Sequence, residues 1–214
     1  ELMELNIVIP VFNRLKSITR LVNSLLNANL SGKVNLNISC EGNVSADVLN
    51  YVKQISWSYG ELKILEQSEQ LGVDKHNLVC MKMAKDFGNV LVLEDDLILS
   101  PEFQSYINAC KDLIHTPIAG LGLYRYSIIE QNHFPFELIP NNEFVYYQQK
   151  ACSKGSYYTW EMLEPYFDFL DRFDGNYSAY HLPENVQKWG DEVWEKSFYC
   201  YLIESNKYVA YPRF

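Results

Sequence analysis

The sequence predicts an α/β fold built around a mainly parallel sheet. In residues 1–123, short apolar runs typical of strands alternate with segments whose apolar residues recur at helical spacing. One run, residues 90–93, is apolar throughout, which is the pattern of a strand buried on both faces. Repeated strand–helix units connect by right-handed crossovers and place their strands in parallel. These observations together predict a parallel sheet with helices on its faces.

The predicted elements of this first half follow one another with short connections. Strands are predicted at residues 5–9, 34–40, 62–65, 90–93 and 118–123. Helices are predicted at residues 18–26, 48–55, 73–85 and 100–114. Ser100 and Pro101 have the pattern of an N-cap followed by proline at the first helical position, so the last of these helices is expected to begin there.

Residues 124–214 lack the regular alternation of strand and helix patterns, and they contain most of the aromatic side chains. Residues 124–150 have no clear period and predict loops with one short strand near 145–147. Helices are predicted at 160–170 and 191–204, and a last strand at 208–211. Aromatic rings could stack on a ligand, but packing in the core explains them equally well. We therefore expect one domain with two halves, 1–123 and 124–214.

Bulk composition excludes several classes of protein. A chain of 214 residues with 48% hydrophobic and 21% charged residues is of ordinary globular composition. Its net charge of −9 argues against a nucleic-acid partner, because no basic surface could offset phosphate repulsion. No apolar run approaches the length of a membrane span, and no signal peptide is visible. Ordered patterns reach both ends, as expected for a protein trimmed from a longer one.

The cysteines predict neither disulfides nor a zinc site. They lie far apart, without a CxxC pair, and their number is odd. We expect buried thiols in a reducing compartment, hence a cytoplasmic protein, with peripheral attachment to a membrane left open. The cysteines are Cys40, Cys80, Cys110, Cys152 and Cys200.

An acidic triplet, Glu94-Asp95-Asp96, directly follows the buried strand at 90–93. In open α/β sheets, ligands bind at the carboxyl ends of the strands. Three adjacent carboxylates repel one another, so a site that collects them usually holds a cation, and oxygen ligands suit Mg²⁺ or Mn²⁺. Asp96 is the first candidate for direct metal contact, with Asp95 beside it. The alternative is an exposed acidic turn.

Polar residues also follow the other predicted parallel strands. They lie at 10–14 after the first strand, at 41–43 after the second and at 67–72 after the third. The carboxyl ends of parallel strands share one edge of the sheet, so these segments should meet the acidic triplet there. The sequence thus predicts a pocket at that edge.

Several of these segments resemble known enzymes. The opening NIVIPVFNR, residues 6–14, with the helix after it, is similar to the start of family 2-type glycosyltransferases of the GT-A fold. LGVDKHN, residues 71–77, resembles the glycine-containing stretch after their third strand. Glu94-Asp95-Asp96 stands where they carry the DXD metal motif, in the form used by N-acetylglucosaminyltransferase I-like enzymes.

The resemblance continues in the second half, with departures. Residues 151–160 are similar to a small-residue and tryptophan segment of bacterial relatives, and WGDEVW, residues 189–194, is similar to their acidic catalytic segment. Glu41 stands where relatives often have aspartate, and Lys154-Gly155-Ser156 where they tend to have Trp-Gly-Trp. The Gln-x-x-Arg-Trp motif of processive synthases is absent, which favours transfer of a single sugar.

The resemblance implies a metal-dependent, inverting glycosyltransferase with a nucleotide-sugar donor, first of all a UDP-sugar, and a glycan or lipid-linked sugar acceptor, as in polysaccharide biosynthesis. Mn²⁺ or Mg²⁺ would be the cofactor, bound by Asp96 and Asp95. Residues 1–123 would bind the donor and residues 124–214 the acceptor. Donor contacts are expected from Pro10, Val11, Phe12, Asn13, Arg14, Glu41, Gly72, Lys75, Glu94 and Asp95.

An inverting reaction needs a carboxylate that takes the proton of the acceptor hydroxyl. Asp191 is the first candidate and Glu192 the second, because both precede Trp194 in the segment that resembles the family's catalytic region. Either acid could instead favour the start of a helix through its dipole. Two other functions stay open: a sugar-1-phosphate nucleotidyltransferase, although residues 10–14 lack the glycine-rich loop of that class, and an inactive carbohydrate-binding homologue.

Overall fold

The computed structural model describes residues 4–114, 117–130 and 132–213, and its strands form one mixed sheet in the order β3-β2-β1-β4-β7-β5-β8-β6. The strands are β1 Leu5–Val11, β2 Val34–Cys40, β3 Leu62–Glu66, β4 Asn89–Val92, β5 Ile118–Gly122, β6 Val145–Gln148, β7 Ser156–Thr159 and β8 Tyr208–Pro212. The helices are α1 Leu15–Leu26, α2 Ala46–Val52, α3 Val73–Lys82, α4 Ala84–Phe87, α5 Phe103–Ala109, α6 Trp160–Arg172, α7 Glu184–Gln187 and α8 Trp194–Ser205. Short 3₁₀ turns lie at Lys111–Leu113 and Tyr177–Ala179.

The prediction of a mainly parallel sheet is wrong. Strands β3, β2, β1 and β4 are parallel neighbours, as the repeated strand–helix pattern indicates. Beyond β4, the strand β7 runs antiparallel to both β4 and β5, and β6 runs antiparallel to β8. β7 has only four residues, and its sequence gives no strand pattern of its own. It separates β4 from β5, so the fifth predicted strand does not continue the parallel series.

Alternate residues of β1 enter the cores on opposite faces of the sheet. Ile7 and Ile9 pack on one side with the apolar face of α1, while Val8 packs on the other. All three side chains are fully buried. Because both faces are covered, β1 and β4 are mostly apolar, whereas β2 alternates apolar residues with the buried polar residues Asn35, Asn37 and Ser39. The two layers of helices hold the carboxyl ends of the four parallel strands together at one edge.

Aromatic side chains of the second half mainly fill the core. Tyr158 of β7 lies over Gly120 of β5, where an added Cβ would come within 2.6 Å of the ring. Tyr211 of β8 covers Gly122 in the same way, at 2.4 Å. Glycine is therefore required at both positions by the close approach of a ring. The aromatic enrichment is explained by packing more than by ligand stacking.

Several predicted boundaries differ from the observed ones. Ser100 and Pro101 do not begin a helix: they form a turn, and α5 starts at Phe103. The helix predicted at 73–85 is interrupted at Met83. The helix predicted at 191–204 begins only at Trp194, whose backbone N–H donates to the Asp74 carboxylate at 3.0 Å. A side chain distant in sequence thus supplies the acceptor at this helix start, which local patterns cannot reveal.

The predicted buried thiols are confirmed, since all five cysteines are buried and unbridged. Among the described residues, none of the helices combines the length and the apolar character that crossing a bilayer demands.

Candidate active site

A cleft of about 320 Å³ opens at the carboxyl ends of the parallel strands. We call it the strand-end cleft. All residues predicted to contact the nucleotide-sugar donor line this cleft, with one exception. Lys75 is exposed on α3 and is not among the lining residues. The lining residues are Pro10, Val11, Phe12, Asn13, Arg14, Glu41, Gln70, Gly72, Val73, His76, Asn77, Glu94 and Asp95.

Sequence reasoning missed one wall of this cleft. Val73, His76 and Asn77 lie on the first turns of α3 and line the cleft together. Their i, i+3, i+4 spacing places them on one helix face. Gln70 extends that wall into the preceding loop. The spacing after Gly72 was the available signal, but nothing in the sequence showed which face of α3 would meet the cleft.

Arg14 binds two of the three acidic residues. Its Nη2 and Nε donate to the two carboxylate oxygens of Asp95, the latter at 3.3 Å, and its Nη1 donates to Asp96 Oδ2 at 2.9 Å. Burial disfavours the charged guanidinium, but the carboxylates of Asp95 and Asp96 outweigh this, so the pKa of Arg14 is raised. Arg14 thus supplies the positive charge that three adjacent carboxylates require.

The oxygen atoms of the triplet are its potential metal ligands. Carboxylate oxygens are suitable ligands for Mn²⁺ or Mg²⁺. However, both oxygens of Asp95 and one of Asp96 already accept from Arg14. Within residues 4–114, 117–130 and 132–213, no group of three or more acidic, histidine or cysteine side chains is arranged to hold a metal. Carboxylate oxygens of Asp95 and Asp96 therefore suit a metal ion chemically, but in the arrangement observed Arg14 competes with a metal for them, so these ligands become available when Arg14 releases them.

Glu41 fixes the loop that forms one rim of the cleft. Its carboxylate is buried and accepts from the backbone N–H groups of Leu71 at 2.7 Å and Gly72 at 3.0 Å. Gly72 has a φ of +77°, which favours glycine. His76 Nδ1 lies 3.6 Å from the same carboxylate. Burial lowers the pKa of His76, although the charge of Glu41 opposes that shift. Glu41 therefore orders the loop at residues 70–72 through direct hydrogen bonds.

Glu94 carries the most perturbed carboxyl of the cleft. Burial, with the nearby charges of Asp96 and Glu195, raises its pKa to about 7, against the opposing charge of Arg14. A strongly perturbed carboxyl that lines a cleft is typical of functional sites.

Glu195 is the acidic residue that sequence reasoning missed. It lies in the first turn of α8, and burial raises the pKa of its carboxyl, with a smaller contribution from Asp74. Ser153 and Lys154 oppose that shift. Because Trp194 N–H binds Asp74, this end of α8 packs against the start of α3, and other residues of α3 line the strand-end cleft. No motif in the sequence separated Glu195 from the other acids of residues 191–195.

The predicted bases, Asp191 and Glu192, lie outside the lining of the strand-end cleft. The Asp191 side chain is 76% exposed and forms an ion pair with Lys196 at 2.7 Å. The Glu192 carboxylate folds back over Gly190, where an added Cβ would meet its oxygens at 2.4 Å. Both residues are exposed.

Asp96 faces a second cleft of about 480 Å³, which we call the Asp96 cleft. It also contains Arg20, Tyr124 and Lys154. Arg20 donates to the backbone carbonyl of Asp96 at 2.8 Å. The acidic triplet therefore separates two clefts, one beneath residues 94–95 and the other beside residue 96.

Comparison with solved structures supports the fold. The crystal structure of S. aureus TarS, a fragment, matches with a TM-score of 0.59 and 16% identity over 98% of this chain. The same protein in complex with UDP-GlcNAc matches at 0.56 with 17% identity. A mannosyltransferase from Pyrobaculum calidifontis, in complex with GDP-Man and Mn²⁺, matches at 0.50 with 12% identity over 75% of this chain and 45% of its own. At these identities the likeness establishes the fold alone.

The chain spans 58% of the length of the TarS fragment. No protein-family model and no curated sequence matches this chain.

Proposed function

We propose that this chain is a glycosyltransferase that moves a sugar from a nucleoside-diphosphate donor to a hydroxyl acceptor. The observation that carries the proposal is the strand-end cleft. The residues that the sequence predicts as donor contacts follow four different strands, and all of them except Lys75 line this one pocket. Two structural neighbours support a nucleotide sugar as the ligand, TarS with UDP-GlcNAc and the mannosyltransferase with GDP-Man. A UDP-sugar is the first donor to test.

Arg14 is the proposed contact to the donor diphosphate. Its side chain is 53% exposed, and it lines the cleft. A guanidinium can bind phosphate oxygens through two parallel hydrogen bonds. Arg14 would then exchange its contacts with Asp95 and Asp96 for contacts with the diphosphate. That exchange frees the carboxylates that are proposed as metal ligands.

Metal dependence is part of the proposal, with Asp96 as the principal ligand and Asp95 beside it. Support comes from the oxygen donors of the triplet and from the Mn²⁺ in the mannosyltransferase complex. Held by these carboxylates, Mn²⁺ or Mg²⁺ would supply positive charge next to the leaving diphosphate. Because Arg14 pairs with these carboxylates and is proposed to exchange them for the diphosphate, we expect metal and nucleotide to bind together.

We propose an inverting reaction, in which a carboxylate takes the acceptor's proton. Asp191 and then Glu192 are the candidates from sequence. Glu195 is a third candidate, supported by its half-buried position in the first turn of α8, next to the contact of Trp194 with Asp74, and by its charge, which contributes to raising the pKa of Glu94. The Asp96 cleft, on the other side of the triplet, is the proposed entrance for the acceptor hydroxyl.

The test is a turnover assay with a panel of nucleotide sugars, preceded by thermal-shift screening with and without Mn²⁺. A glycosyltransferase releases the nucleoside diphosphate slowly even when water is the only acceptor. Release of UDP or GDP from one member of the panel supports the proposal. Release of pyrophosphate from a nucleoside triphosphate and a sugar-1-phosphate indicates a nucleotidyltransferase instead. Binding without any turnover indicates an inactive carbohydrate-binding homologue.

A further inference from the structure

One side-chain contact joins the donor side of the molecule to the helix that carries Glu195. Asp74 lies in the first turn of α3, and its Oδ1 accepts from the backbone N–H of Trp194, the first residue of α8, at 3.0 Å. The two residues are 120 positions apart in sequence. The N-terminal ends of α3 and α8 are therefore joined by a carboxylate that belongs to α3.

This carboxylate supplies what the start of α8 lacks locally. The first N–H groups of an α-helix have no acceptor within the helix. Val193, which precedes α8, has an apolar side chain that cannot accept a hydrogen bond. The Asp74 carboxylate accepts instead, and its negative charge suits the positive end of the helix dipole. The start of α8 is thus held by a side chain of another helix.

The first turns of α3 present one set of side chains to the strand-end cleft and another to α8. Val73, His76 and Asn77 line the cleft, whereas Asp74 binds α8. The loop before this turn is held separately, by the Glu41 carboxylate. Loss of the Asp74 contact should therefore disturb the start of α8 much more than the lining of the cleft.

Other contacts keep α8 in the core. The Trp194 side chain is buried, and its ring centroid lies 5.9 Å from that of Phe198. The carbonyl of Trp194 accepts from the Tyr166 hydroxyl at 3.3 Å. These contacts do not involve Asp74, so variants of Asp74 should still fold and place α8 against α6.

Glu195 directly follows Trp194 and is half-buried. Burial raises the pKa of its carboxyl, and the charge of Asp74 adds to that effect. A hydrogen bond from Ser153 and the charge of Lys154, both in the loop before β7, oppose it. The residue that holds the start of α8 is therefore also one of the groups that set the charge state of Glu195.

We propose that Asp74 is a positioning residue for Glu195: from α3 it holds the first turn of α8 and thereby fixes where the Glu195 carboxyl lies. Precise placement matters, because displacing a reacting group by about 1 Å can cost about a hundredfold in rate. That Glu195 serves the acceptor hydroxyl rests on the proposed function. The hold of Asp74 on the start of α8 does not.

The test compares Asp74→Asn, which keeps an acceptor oxygen and removes the charge, with Asp74→Ala, which removes both. Asp47→Ala is the matched control, because Asp47 is the acid in the first turn of α2 and accepts from the N–H of Val48 in its own helix at 2.9 Å. On the whole chain without ligand, NMR measures hydrogen exchange of the Trp194 amide and titration of the Glu195 carboxyl. Calorimetry with UDP and Mn²⁺, and turnover of the nucleotide sugar that the wild type uses, complete the set.

In Asp74→Ala we expect the Trp194 amide to exchange about tenfold faster or more, because it loses a charged acceptor. In Asp74→Asn the titration midpoint of Glu195 should move to lower pH, because a negative charge that raises its pKa is gone. UDP binding should be retained, while kcat of Asp74→Ala falls about tenfold or more. Asp47→Ala should match the wild type in each measurement.

A wild-type exchange rate at Trp194 in Asp74→Ala, or a wild-type midpoint for Glu195 in Asp74→Asn, would overturn the inference. So would full kcat in a folded Asp74→Ala, since a lower melting temperature without any change in turnover indicates a purely structural contact.

The wild type decides the proposed function separately. If the wild type turns over a nucleotide sugar and Asp74→Ala does so equally fast, the proposed function stands and the positioning role falls. If the wild type neither binds UDP or GDP nor turns over a nucleotide sugar, the proposed function falls. Exchange at Trp194 and titration of Glu195 need no ligand, so they still decide whether Asp74 holds the start of α8.

Discussion

Among single residues, Arg14 has two roles: it pairs with carboxylates of the acidic triplet, and it is the proposed contact to the donor diphosphate. Its position directly after the first predicted strand predicted that Arg14 would lie in the cleft, and Arg14 does line it. Its pairing with Asp95 and Asp96 could not be predicted, because it depends on side chains 81 and 82 residues away. Sequence showed which charges converge, but it did not show which of them neutralise one another.

Arg14→Gln should increase the response of the protein to Mn²⁺. The substitution leaves Asp95 and Asp96 without their cation, so the carboxylates repel one another and bind a divalent ion more readily. We expect Mn²⁺ alone to raise the melting temperature of Arg14→Gln more than that of the wild type in a thermal-shift titration. Arg20→Gln is the control, because Arg20 contacts only the backbone carbonyl of Asp96. Equal shifts in wild type and Arg14→Gln would contradict the competition.

Asp96→Ala should leave the fold intact and abolish metal-dependent nucleotide binding. Asp96 is 41% exposed, so its loss creates no cavity, and its role is proposed as a ligand. The measurement is calorimetric titration of UDP in the presence of Mn²⁺, with circular dichroism to verify folding. Asp86→Ala, at an exposed site on α4, is the matched control. Undiminished Mn²⁺-dependent UDP binding by a folded Asp96→Ala would refute the assignment.

The three candidate bases are separated by parallel amide variants. Asp191→Asn, Glu192→Gln and Glu195→Gln each keep side-chain shape and remove the proton acceptor. Loss of a general base costs roughly 10²- to 10⁴-fold in turnover. That loss should appear in kcat while the donor KM is kept, because the diphosphate is held elsewhere. Transfer by Asp191→Asn at near wild-type rate would contradict the role predicted for Asp191. Loss of thermal stability alone would identify a structural acid that pairs with Lys196.

The loop before α3 shows how an element positions the site. Its conformation depends on the Glu41 carboxylate at the end of β2, which holds the backbone of Leu71 and Gly72. The sequence located Glu41 and Gly72 correctly at the same sheet edge, because parallel strands end together. The sequence did not show whether the Glu41 carboxylate would contact a ligand or accept hydrogen bonds from the backbone, since a carboxylate can do either.

Glu41→Ala should destabilise this loop and weaken donor binding together. Two backbone N–H groups lose a charged acceptor, at a cost of roughly 2–4 kcal/mol. Urea denaturation measures that loss, and UDP titration measures the effect on the cleft. Glu66→Ala is the control, because its ion pair with Lys53 is half exposed and should contribute less than about 1 kcal/mol. A Glu41→Ala protein of wild-type stability would show that the loop is held by other contacts.

For the other elements too, features set by local sequence patterns were predicted, and features set by contacts distant in sequence were not. Apolar periodicity predicted the bounds of β2 and the buried face of α1, because the apolar residues of both elements pack in the same core, but it missed the first three residues of α1. The start of α8 was predicted three residues early, since its acceptor is Asp74, far away in sequence. β7 was missed, because four residues that pair with two distant strands leave no period of their own.

For the whole molecule, the first four strands and the cleft at their ends were predictable, and the mixed far side of the sheet was not. Strand–helix repeats specify the order of β1 to β4 through the right-handed crossover. The next strand along the chain, β5, does not pair with β4. The later strand β7 lies between β4 and β5 in the sheet. Strand insertion of this kind depends on the packing of rings such as Tyr158 over glycine, which composition alone does not indicate.

The most direct test of the central claim is calorimetric titration of UDP and GDP, with Mn²⁺, into the wild type and Asn13→Trp. Asn13 is exposed and lines the strand-end cleft, so an indole there should fill the space for a nucleotide. Asn50→Trp, at an exposed position on α2, is the matched control. We expect one nucleoside diphosphate to bind the wild type and Asn50→Trp equally, and Asn13→Trp at least tenfold more weakly. Binding that is unaffected by Asn13→Trp, or no binding of either nucleotide to the wild type, would contradict a donor site in this cleft.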